Sequence, residues 1–84
     1  MAALQLIDST SIFGVMYDPD SKGLFVCFRD SGDIYLYYGL PPEVYDEFMA
    51  AESKGAYLNQ QIKGKYDFKK VGRASLGERK DRAG

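Results

Sequence analysis

Five cations fall within eleven residues, at Lys63, Lys65, Lys69, Lys70 and Arg73, with Tyr66 and Phe68 interleaved among them. Cationic side chains follow phosphates and aromatic rings stack on unpaired bases, so this mixture suits a single-stranded nucleic acid. Were all five to meet phosphates, log affinity would fall against log salt with a slope of about −3.5. The same stretch also reads as a solvated edge strand whose Tyr66 and Phe68 turn into the core.

Candidates for catalysis are few. The chain has no histidine, so the commonest general base and the commonest metal ligand are both missing. Cys27 is the single thiol and lies inside a hydrophobic run; with no imidazole to activate it, it is expected to pack rather than react. One cysteine makes neither an internal disulfide nor a Cys/His zinc cluster. Asp18-x-Asp20 resembles the opening of a calcium loop, but Lys22 and Gly23 stand where ligands belong and no glutamate closes it. Asp18, Asp20, Asp30 and Asp33 occupy turn-forming stretches, where bonding to the local backbone accounts for them. Gly64-Lys65 lacks the longer glycine-rich run of a phosphate loop. The sequence therefore predicts no catalytic residue, no metal and no cofactor.

The elements that must position the cations are small. A chain of 84 residues buries only about 60–65% of its surface on folding, enough for one domain. Seven tyrosines and five phenylalanines, with no tryptophan, supply the core. The formal net charge of −1 conceals a division. Residues 1–53 carry two bases against nine acids, and residues 54–84 carry nine bases against three acids. Such asymmetry points to a polyanion-facing end, unless the two halves pair with each other in the fold. The first eight residues lack a basic leader region, and no apolar run approaches the ~18 residues of a membrane span. A cytoplasmic protein without membrane contact is expected.

All twelve aromatics lie between Phe13 and Phe68. The boundaries expected are an N-terminal extension over 1–11, one domain over 12–71, and a disordered basic tail over 72–84. Within the domain, Ile12–Tyr17, Leu24–Arg29 and Ile34–Tyr38 read as an antiparallel meander. Gly32 supplies the positive φ of a three-residue hairpin loop with Arg29 opposite Asp33. That register puts Leu24, Val26 and Phe28 beside Ile34, Leu36 and Tyr38; a one-residue slip exchanges the second set for Tyr35 and Tyr37. Pro42 suits the first turn of a helix, and Val44, Tyr45, Phe48 and Ala51 give it an apolar face. Ser53 caps a second short helix that ends at Gly64, with Leu58 and Ile62 inward. Residues 65–71 alternate like a fourth, short edge strand. The class is α+β: a three-stranded meander, then two short helices packed on one face, with room for that fourth strand.

Ile12, Tyr17-Asp18, Leu24-x-Val26-x-Phe28, Tyr35-x-Tyr37, Gly39-Leu40-Pro41 and Val44-Tyr45 follow one another along the chain. Ser53-x-Gly55-x-Tyr57-x-Asn59, Ile62 and Tyr66 continue the series. The order of these pieces is similar to the KTSC domain, named for the C-terminal part of some lysyl-tRNA synthetases and found also as a stand-alone bacterial and phage protein. Leu58 replaces a usual phenylalanine and Lys63 a frequent arginine, exchanging a forked donor for a point charge. The resemblance implies RNA binding. Tyr57 and Asn59 then flank the basic stretch, and the expected nucleic-acid-binding set is Lys54, Tyr57, Asn59, Lys63, Lys65, Lys69, Lys70 and Arg73. In the other reading Tyr35, Tyr37 and Tyr57 are core side chains with hydroxyls at the surface, and Asn59 bonds a neighbouring turn. The alternative function is a protein–protein module, an adaptor or a phage-borne inhibitor, that uses Glu43, Asp46, Glu47 and Glu52 against a basic partner.

Overall fold

The computed structural model describes residues 4–74. Five strands form one antiparallel sheet in the order of the chain: β1 (Gln5–Leu6), β2 (Ile12–Asp18), β3 (Gly23–Phe28), β4 (Asp33–Tyr37) and β5 (Phe68–Arg73). Between β4 and β5 come α1 (Pro42–Ala50) and α2 (Lys54–Tyr57), the latter continuing as a π-helical turn over Leu58–Ile62. No helix among the described residues is long and apolar enough to cross a membrane.

The α+β class holds, with a larger sheet than the expected three strands and optional fourth. β5 is that fourth strand, and it pairs with β4 from Phe68 to Arg73 rather than stopping at residue 71. The fifth strand, β1, lies within the stretch read as an extension. Gln5 and Leu6 pair with Val15 and Gly14, and Ile7 behind them enters the core. A two-residue strand leaves no alternating pattern to read, which is why the sequence hides it. The expected disordered tail over 72–84 lies outside the described residues from 75 onward.

The hairpin between β3 and β4 takes the slipped register. Cys27 faces Ile34 and Val26 faces Tyr35, so four residues, Arg29 to Gly32, separate the strands. Gly32 holds φ 76° and donates its N–H to Phe28 O at 2.8 Å, which closes the longer loop. The slip reverses the facing of the whole of β4. Tyr35 and Tyr37 therefore join Leu24, Val26 and Phe28 beneath the helices, while Ile34 and Leu36 join Phe25 and Cys27 on the opposite face.

The helices cover the first of these faces. Ile12, Val15, Tyr17, Leu24, Val26 and Tyr37 from the sheet pack with Leu40, Phe48, Leu58 and Ile62. Each such side chain contributes about 1.5–3 kcal/mol on full burial. Pro42 opens α1, and the Ser53 hydroxyl accepts the Ala56 N–H at 3.3 Å to start α2. The helix ends where Lys63 N–H reaches back five residues to Leu58 O, and Gly64 then turns the chain at φ 83°. That exit delivers Lys63 to the open end of the sheet and sends the chain back along β4.

Candidate nucleic-acid interface

β3, β4 and β5 lie side by side in the sheet. Phe28, Tyr35, Tyr37 and Phe68 line a groove of about 410 Å³ there, together with Ser31, Asp33 and Lys63. The register builds it: Tyr37 is opposite Phe68, Tyr35 opposite Lys70, and a bulge at Val71 brings Arg73 opposite Asp33. Alternation then puts Phe68, Lys70 and Arg73 on the groove side.

The rings touch in series. Phe28 meets Tyr35 edge-on at 5.6 Å between centroids, Tyr35 lies 5.6 Å from Phe68, and Phe68 lies 5.5 Å from Tyr37. Phe68 is 53% exposed, whereas Tyr37 beneath it is 1% exposed. A hydrophobic ring held open to solvent on a rigid strand is a ready stacking surface.

Cations border these rings. Lys63 Nζ stands 5.1 Å from the centre of the Phe28 ring, within cation–π range. Lys70 Nζ and Arg73 Nε lie 3.2 and 2.9 Å from the same atom, Oδ1 of Asp33. The Arg73 hydrogen bond is the main cause holding the Asp33 carboxyl below its usual range, with Lys70 and Ser31 acting in the same direction against partial desolvation. Burial, and then the neighbouring Tyr35, push the Tyr37 phenol up.

The eight expected binding residues do not form one cluster. Lys63, Lys70 and Arg73 surround the groove. Lys65 follows in the adjacent turn, its Nζ donating to Gln61 Oε1 at 3.2 Å. Lys69 alternates onto the opposite face of β5, in register with Leu36. Lys54 turns back to the end of α1, donating to Ala51 O at 3.2 Å. Tyr57 packs near Phe48 and donates its hydroxyl to Glu47 Oε1 at 2.9 Å. Burial and that acceptor push the phenol up to about 12. Asn59 is exposed on the π-helical turn.

Sequence reasoning missed two parts of the groove. Phe28, Tyr35 and Phe68 share a face only in the slipped register, although their two-residue alternation carries the signal. Asp33 was read as a turn residue, and its pairing across 37 and 40 residues had no local sign. Cys27 lies on the other face, 7% exposed, and desolvation, with Asp33 second, raises its thiol pKa. There Leu4, Met16, Phe25, Ile34 and Val71 form an apolar hollow around it.

The model of the KTSC domain matches residues 8–66. A protein of Tsukamurella paurometabola is 40% identical over 63 residues, which are 75% of this chain and 92% of that one. The lysine–tRNA ligase of Nostoc punctiforme is 38% identical over 55 residues, 66% of this chain but 10% of the ligase. Among solved structures, a KTSC domain protein from Yersinia pestis superposes with a TM-score of 0.80 at 38% identity. It covers 86% of this chain and the whole of its own.

Proposed function

The chain belongs to the KTSC domain family, and we propose that it is a non-catalytic module that binds single-stranded RNA. The observation that carries this reading is the open aromatic groove with cations on its rim. Lys63, Lys65, Lys70 and Arg73 draw in the phosphates, and Phe68 with Tyr35 receives a base. Stacking of one base on such a ring contributes about 1–3 kcal/mol and tolerates every base. The occurrence of a similar stretch within a lysine–tRNA ligase supports RNA over DNA as the ligand.

Fluorescence anisotropy with a labelled oligouridylate tests it. Binding is expected at about 50 mM salt and should weaken steeply towards about 200 mM. No binding at low salt, or equal affinity after Phe68→Ala, would sink the reading. The alternative is a basic protein docking on α1. Glu47 is already engaged there by the Tyr57 hydroxyl, which leaves Glu43 and Asp46 on the helix and the exposed Glu52 beyond its end at Ala50. Affinity purification that recovers a protein partner persisting after nuclease treatment would favour that alternative.

A further inference from the structure

Resting on that reading, we propose that the groove is selective, holding one unpaired guanine whose N1–H and N2–H₂ edge meets the Asp33 carboxylate. The groove's volume of about 410 Å³ falls within the range of small-ligand sites, about 300–1,000 Å³. Its lining is unevenly polar. Phe28, Tyr35, Tyr37 and Phe68 make it aromatic, while Ser31 and Asp33 provide polar groups from the hairpin side.

Asp33 is fixed for the task. Lys70 and Arg73 both attach to Oδ1, and its side chain is 17% exposed. An ionised carboxylate only accepts, with about four lone-pair sites over two oxygens. With both cations on Oδ1, acceptor capacity remains at Oδ2. The carboxylate only accepts, so a donor-bearing base edge belongs at its open oxygen, while phosphates meet Lys63, Lys65 and the exposed sides of Lys70 and Arg73.

The chemistry of the four bases then decides. Guanine alone carries an imino and an amino donor side by side, and the two can converge on the carboxylate oxygen that Lys70 and Arg73 leave open. Adenine and cytosine place an acceptor nitrogen next to the amino group, which would oppose one carboxylate oxygen. Uracil sets a single imino donor between two carbonyls. A site that desolvates an acceptor penalises every ligand that leaves it unpaired. Tyr37 lines the same groove and is 1% exposed, so it fixes the floor on which the base lies.

The experiment measures anisotropy of the full chain with labelled heptauridylate and with versions whose central base is guanine, adenine or inosine. The guanine oligomer should bind about tenfold more tightly than the uridine and adenine ones, as for a matched bidentate contact. Inosine, which lacks only the amino group, should fall between them. This comparison needs no variant and so does not depend on folding of a mutant. Asp33→Asn should abolish the guanine advantage. Equal affinity for all four oligomers would overturn guanine selection and leave RNA binding standing. A guanine preference that survives Asp33→Asn would overturn the role of Asp33. No binding of any oligomer at low salt would overturn the RNA reading itself.

Discussion

The ring of Phe68 lies 5.5 Å from that of Tyr37, centroid to centroid, and joins an exposed side chain to a buried one across the last two strands. Tyr37 forms part of the core and fixes the floor of the groove. Phe68 adds little to the core and remains available. The same cross-strand pair therefore separates stability from binding.

Phe68→Ala should accordingly weaken RNA binding by about 1–3 kcal/mol, roughly 5- to 150-fold. The half of the ring that is already exposed contributes little to burial, so thermal stability should change far less than for a core truncation. Anisotropy and a circular-dichroism melt on one preparation give both readouts.

Salt dependence distinguishes the cations by position. Four phosphate contacts, from Lys63, Lys65, Lys70 and Arg73, give a log–log slope of about −3, and Lys63→Gln should flatten it by about 0.7. Lys69→Gln, on the opposite face of β5, should leave the slope close to that of the unmodified chain. A Lys69 effect equal to that of Lys63 would place the strand backbone rather than the groove at the centre of binding.

Asp33 contributes an acid-sensitive share of stability. Its folded pKa is lowered, chiefly by Arg73. Its stabilisation is thus present above the unfolded value of about 3.9 and is lost as pH falls through the folded one. Melting temperature measured from neutral pH downwards should fall less below about pH 4 in Asp33→Asn than in the unmodified chain. The same substitution releases two cations and should strengthen binding of oligouridylate.

Tyr57 separates the two readings of its own role. Its phenol is raised to about 12, above an unfolded value of about 10, and the neutral form is the favoured one in the fold. Its stabilisation is therefore complete below about pH 10 and is lost as pH rises through about 12. Tyr57→Phe removes the bond to Glu47, costs about 1 kcal/mol at neutral pH, and should leave RNA affinity unchanged. Ultraviolet titration of the phenols against pH, with anisotropy at neutral pH, tests both statements.

Gly32→Ala should damage the groove through the backbone. The residue holds φ 76°, and an added Cβ would collide with Ala74 O on the chain leaving β5. Strain of that kind costs about 1–3 kcal/mol, and loss of the Gly32–Ala74 pairing would loosen Asp33 and Arg73 together. A lowered melting temperature with weakened guanine preference is the expected pair of effects.

Much of the architecture was legible because local chemistry and tertiary packing agree. Pro42, Ser53 and Gly64 marked helix starts and the end of the helical segment, and Phe48, Leu58 and Ile62 occupied the spacing of a buried face. The register of β4 was not legible, because both faces of the hairpin carry large side chains and either facing buries aromatics. Only the extra loop residue closed by Gly32 decides it. β1 escaped because two residues make no pattern, and the Asp33 pairs escaped because charge partners 37 and 40 residues apart leave no trace in spacing. The basic stretch was visible, but its division between two faces of β5, with Lys69 apart from Lys70 and Arg73, required the strand.

Backbone amide chemical-shift mapping of isotope-labelled protein with single-stranded RNA tests the central claim most directly. The account predicts that the largest shifts cluster at Phe28, Ser31, Asp33, Tyr35, Lys63 and Phe68, with α1 unaffected. Shifts centred on Glu43 and Asp46, or no shifts at low salt, would contradict it.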